Sequence, residues 1–206
     1  MPIGAIADAA IHLDQQLGIV RGLKNKLVRQ RDEAADKLVT VLEEISKIYG
    51  AIDKELSDYL SLYFDGNDQW QDDRGVLVQL EGGSLEIRLG EARGHCHKIG
   101  AIHDKYLRRW FDRVLNSDEA QELNGIFGML SQSDFAMIQQ INFLVSWLAP
   151  EAEATLDLVD DGKLQEADQR IRTARKRVLP TRRATTKAVA QLRELQAEFI
   201  EVSGVP

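Results

Sequence analysis

His95, Cys96, His97 and His103 fall within nine positions of one another, flanked by Glu91 and Asp104, in the stretch EARGHCHKIGAIHDK. Imidazoles and thiolates hold zinc, and a cysteine beside a histidine is the pairing of a thiol nucleophile with its base. The spacing opposes both chemistries. At steps of about 100° per helical residue, His97 lies about 200° from His95 and His103 about 80° from it, so the three rings do not converge. A helical zinc pair wants ligands four apart, and only Glu91 and His95 stand in that relation. No Glu-x-x-His pair of the carboxylate-bridged di-metal bundles occurs. Consecutive helical residues point apart, which separates Cys96 from both neighbouring imidazoles. The expectation is a polar helix start with no metal, no cofactor and no catalytic residue. A metal-dependent enzyme built on Glu91, His95, His97 or His103 is the weakest alternative.

A second group of residues suits a different chemistry. Residues 170–193 carry nine of the 26 lysines and arginines and no acid, while the remainder holds all 33 acidic residues. The overall charge of −7 is therefore +9 on this segment against −16 elsewhere. Arginine's planar fork matches phosphate oxygens, and several such contacts make binding strongly salt-dependent. Arg172, Arg175, Lys176, Arg177, Arg182, Arg183 and Lys187 are thus candidates for gripping a nucleic acid or another polyanion. Against this stand the absence of an aromatic residue within the cluster for base stacking and of any nucleic-acid motif. The competing expectation is that the segment neutralises acidic faces carrying Asp32, Glu33, Asp36, Glu43 and Glu44, or docks on an acidic partner. A membrane surface is a further, weaker partner for it.

Both groups must be positioned by helices. Ile6, Ala10, Leu13, Leu17, Val20, Leu23 and Leu27 recur at helical spacing, and Leu38, Val41, Leu42, Ile45, Ile48, Ile52, Leu56, Tyr59 and Tyr63 do the same. The pattern predicts one long amphipathic helix over 26–64, with Gly18 and Gly22 as the break from the helix before it. Such a length needs partners, hence a bundle or coiled-coil seam and self-association. DGNDQWQDDRG at 65–75 reads as a loop. Val76, Val78 and Leu80, then Leu85, Ile87 and Leu89, alternate around Gly82-Gly83, which predicts a β-hairpin over 76–89. Ile99, Ile102, Tyr106, Leu107, Trp110, Phe111 and Val114 make the next apolar stripe, with Lys105, Arg108, Arg109 and Arg113 left on the surface. Ser117 is the predicted N-cap of a short acidic-headed helix, and Ser131 or Ser133 of the next. Phe135 to Pro150 is apolar nearly all round, the signature of a surrounded helix, and too short for a bilayer span of roughly 20 residues. Pro150 should end or kink it, Asp160-Asp161-Gly162 should break the chain, and Pro180 should separate two terminal helices.

Composition is consistent with this: 44% hydrophobic, 29% charged and four prolines describe a globular chain long enough for one core. The lone cysteine cannot form an internal disulfide and the N-terminal stretch lacks a basic n-region, so a cytoplasmic protein is expected. Gly-rich phosphate loops, nucleophile elbows, His-Glu-x-x-His and paired-cysteine frameworks do not occur. The sequence therefore predicts a mainly α, elongated helical bundle over 1–206, with a loop-plus-hairpin insertion at 65–90 and a basic C-terminal segment at 163–206. Its expected role is a non-enzymatic interaction or scaffold protein that self-associates within a larger assembly, with polyanion binding as the alternative.

Overall fold

A computed structural model describes residues 2–29, 33–64, 70–131 and 136–203. Helices account for nearly all of them: α1 Pro2–Arg29, α2 Glu33–Ser61, α3 Trp70–Leu80, α4 Gly82–Ile102, a π-helical turn His103–Leu107, α5 Arg108–Val114, α6 Ser117–Ser131, α7 Ala136–Asp160 and α8 Leu164–Ser203. No strand occurs among the described residues.

The longest helix, α8, is the spine. Its 40 residues extend about 60 Å at 1.5 Å per residue. Ala167, Ile171, Ala174, Val178, Thr181, Thr185, Ala188, Leu192, Leu195 and Phe199 are all buried. They alternate in steps of four and three, the 3.5-residue period of a coiled-coil seam. The stripe packs along both α1 and α2. Lys187 meets Asp14, Arg21 meets Glu194 and Lys24 meets Glu198, so α8 runs parallel to α1. Thr186 meets Asp53 while Arg175 meets the carbonyl of Leu60, so it runs antiparallel to α2. Helix α4 covers another side of α2, and α7 packs against α1, α3 and α4. Buried apolar side chains form one cluster from Ile6 to Phe199.

Several expectations are corrected. The hairpin over 76–89 is helical: the two arms are the end of α3 and the start of α4, joined at Glu81. Leu77 and Leu80, then Leu85, Leu89, Ala92, Cys96 and Ile99, are buried at spacings of three and four. The alternate residues Val78 and Ile87 are exposed. Nor does the junction need what a primed turn demands, because the only positive φ among the described residues is at Gly162. Residues 65–69 of the expected loop lie outside the described residues, and its remainder begins α3.

The single helix over 26–64 is two, since α1 ends at Arg29 and α2 starts at Glu33. Gly18 and Gly22 do not break α1. A glycine costs a helix only about 1 kcal/mol, and the buried stripe from Leu13 to Leu27 outweighs that. Pro150 and Pro180 lie inside α7 and α8, both on exposed positions where water can take the carbonyl the ring frees. The break at Asp160-Asp161-Gly162 stands, with Gly162 at φ 75° closing the turn as the amides of Gly162 and Lys163 bond back to α7 carbonyls. At α6 the cap is Asn116, not Ser117: the Asn116 side chain accepts from the Glu119 amide at 3.0 Å and Glu119 accepts from the Asn116 amide at 3.2 Å. This reciprocal pair satisfies two amides. Ser131 is the last residue of α6, and Ser133 lies outside the described residues.

The π turn has one local consequence. The Arg108 amide bonds to the His103 carbonyl five residues back, and the extra residue rotates the helix beyond it. Leu107 rather than Tyr106 is therefore buried, and Tyr106 is left on the flank.

Candidate functional site

The basic segment lies entirely on α8, and the coiled-coil seam decides which of its cations face outward. With one face committed to α1 and α2, steps of about 100° place Arg172, Lys176, Arg183 and Lys187 within an arc of about 60° on the opposite side. All four are exposed. From Arg172 to Lys187 this ridge runs about 22 Å.

The structure divides the seven candidates by partner. Arg172 pairs with Asp168 one turn back at 2.5 Å. Lys187 reaches Asp14 of α1 at 2.8 Å. Arg175, half-buried, donates to the carbonyl of Leu60 at 2.8 Å and lies 3.4 Å from that of Leu62. There it caps the C-terminus of α2, where carbonyls lack intrahelical partners and the helix dipole favours a cation. Arg182 is half-buried, with its Nε unpaired. Among the described residues, Lys176, Arg177 and Arg183 have no acidic partner and stay exposed. The acids that meet the segment include Asp14, Glu151, through Arg170 at 2.9 Å, and Asp168. Asp53 accepts from Thr185 and Thr186. They are not Glu33, Asp36, Glu43 or Glu44, because those stand on other faces of α2; Asp32 lies outside the described residues.

Two features beside the ridge were invisible in the sequence. Tyr63, at the end of α2 and 46% exposed, has its ring 6.0 Å from the Arg172 guanidinium. The aromatic that the cluster lacks in sequence is thus supplied in space. On the flank, α7 and α8 form an open groove of about 570 Å³ whose lining mixes Trp147 and Leu158 with the cations Arg170 and Arg177 and the carboxylates Glu151 and Glu166.

The histidine cluster disperses as its spacing implies. His95 turns to α2 and gives its Nδ1 proton to Glu44 at 2.5 Å. His103, in the π turn, is buried against α6, with Nε2 at 3.1 Å from Asn124 and its ring 6.4 Å from that of Phe127. His97 is exposed. Cys96 is buried, its thiol against the Ala92 carbonyl, and burial pushes its pKa up to about 11. A thiol so held is almost wholly protonated near neutral pH. Among the described residues, no three His, Cys, Asp or Glu side chains come together as a metal-binding group. Glu91 is exposed on α4.

No protein-family model, curated protein or solved structure matches the chain.

What the cluster does contain is a buried polar junction that sequence reasoning missed. Glu44 is 1% exposed and accepts from His95, from Lys98 at 2.8 Å and from Lys47 at 3.2 Å. Burial alone would raise its pKa, but the three donors outweigh burial and hold it below the ordinary carboxylate value. The junction ties α4 to α2. The sequence places Glu44 on an acidic outward face of α2, and the packing of α4 against α2 buries it instead.

Proposed function

We propose that this chain is a non-enzymatic helical interaction protein, a self-associating subunit that docks through the exposed ridge of α8 onto an acidic protein surface. The observation that carries the reading is that Lys176, Arg177 and Arg183 project from α8 with no acidic partner among the described residues, while neighbouring Arg172 and Lys187 are held in place by ion pairs. A row of unneutralised cations on one helix face steers acidic partners toward it. With −16 outside the segment, a second copy of the chain presents the matching charge. No described helix is long and apolar enough to cross a membrane.

Light scattering on eluting protein at low and high salt tests this. The wild type should elute as an oligomer that Lys176→Glu with Arg183→Glu dissociates. An oligomer untouched by that pair, or a monomer at every salt concentration, overturns ridge-mediated self-association.

Tyr63 beside Arg172 favours a second reading, a polyanion whose phosphates lie on the ridge while a base stacks on the ring. It predicts that a labelled single-stranded oligonucleotide binds at low salt, is released at high salt, and weakens with Tyr63→Ala.

A further inference from the structure

We propose that the groove between α2 and the α4–π-turn segment binds a compact phosphate-bearing anion, of the size of pyrophosphate or a small phosphomonoester, through Lys37, Lys98 and Lys105. The groove encloses about 280 Å³, lined by these lysines with Thr40 and Tyr106. It is separate from the α8 ridge, and the inference does not rest on that surface.

Three observations converge here. First, the Lys37 and Lys105 ammonium groups lie 5.3 and 4.8 Å from the centroid of one ring, that of Tyr106. The ring's quadrupole attracts each of them, and both lysines line the same groove, so an anion bound there meets two ammonium groups. Among the described residues, neither has an ion-paired carboxylate.

Second, Lys98 is shareable. It donates to Glu44, which His95 and Lys47 also hold, and its side chain is 55% exposed. Lys98 can lean toward a ligand without leaving Glu44 unpartnered.

Third, the field continues past the groove. An adjoining cavity of about 180 Å³ shares Lys105 and Tyr106 and adds Arg109, with Glu33 the one carboxylate among its described lining residues. The π turn creates this arrangement: by rotating Leu107 inward it leaves Tyr106 and Lys105 at the mouth of both cavities, as π turns do at many functional sites.

Size and charge select the ligand class. Sites for drug-sized molecules run about 300–1,000 Å³, so this groove suits a compact group. Three lysines match an anion carrying two or three charges, and ammonium groups bind phosphate as point charges.

Titration calorimetry with pyrophosphate tests the site, in about 10 mM salt where the Debye length is about 30 Å, and again near physiological salt. The expected result is one site per chain, weakened at least tenfold by Lys37→Gln with Lys105→Gln. Glu33→Gln should tighten it several-fold, and Lys176→Glu with Arg183→Glu should leave it unchanged. Lys105→Gln alone, on an exposed side chain, supplies a folded variant should the double substitution unfold the chain. No heat with pyrophosphate or inorganic phosphate at millimolar concentration overturns the proposal. So does equal loss from the α8 substitutions, or binding confined to oligonucleotides or to vesicles bearing phosphomonoester headgroups.

Discussion

Glu44→Gln removes one charge from the buried polar junction between α2 and α4 while keeping the side chain's shape. In the folded chain Glu44 is 1% exposed and accepts three bonds, at 2.5 Å from His95, 2.8 Å from Lys98 and 3.2 Å from Lys47. Hydrogen bonds to charged groups are worth about 1.5–3 kcal/mol each when buried. Lys98 and Lys47 are 55% and 43% exposed, so solvent screening reduces each of theirs to below about 1 kcal/mol. His95, 28% exposed and bonded at the shortest distance, contributes the largest share. Glutamine keeps one acceptor but not the charge, and the expected loss at pH 7 is about 2–3 kcal/mol, or a fall in Tm of about 4–12 °C for a chain of this length.

The pH dependence separates this mechanism from a general packing defect. Glu44's pKa is depressed in the folded state, so its contribution is fully present above the unfolded carboxylate value of about 4.3. It is lost as pH falls through the lower folded value. Since glutamine does not titrate, the gap between wild type and variant should close on acidification. Urea denaturation followed by circular dichroism at pH 7 and near pH 3 measures it. A gap below about 1 kcal/mol at pH 7 would refute the reasoning, as would a gap that stays constant down to pH 3.

Two further substitutions bear on particular joints of the fold. Gly83→Ala should stabilise the protein by about 0.5–1 kcal/mol, because alanine is the better helix former and a Cβ there meets nothing within 4 Å; a loss of stability would indicate the primed turn instead. Arg175→Ala should cost about 1–2 kcal/mol in thermal melts by stripping the donor from the last carbonyls of α2, while Lys176→Ala, one position along and unpaired, should stay within about 0.5 kcal/mol. Equal effects at the two positions would mean that the α2 cap contributes nothing.

Apolar periodicity made most of the helices legible in advance. The α1 stripe from Ile6 to Leu27 and the α2 stripe from Leu38 to Tyr59 are buried as their spacing implies, because a 3.6-residue repeat over several turns admits one structure. The segment from Val76 to Leu89 was not legible. Over so few residues, Val76, Leu77, Val78 and Leu80 satisfy both a period of two and a helical step of three. Burial of Leu77 and exposure of Val78 decide the matter, and burial is set by α2, α4 and α7. Proline misled for a related reason. Pro180 opposes a helix locally, but the seam that continues from Val178 through Thr181 and Thr185 holds the helix on both sides of it.

Residue order alone dictates the helical class, the separation of the three histidines and the concentration of cations between Arg170 and Arg193. Each of these comes from the periodicity and direction of side chains on a helix. Which groups those residues meet is set by the packing of the helices. Packing sends Arg175 to the end of α2 and Lys187 to Asp14, leaves Lys176 and Arg183 facing solvent, and brings Tyr63 to Arg172 across more than a hundred positions. It also buries Glu44 among His95, Lys98 and Lys47, and gathers Lys37 with Lys105 around Tyr106. A helical repeat specifies which face is apolar, whereas the partner of each polar residue depends on how those faces are paired.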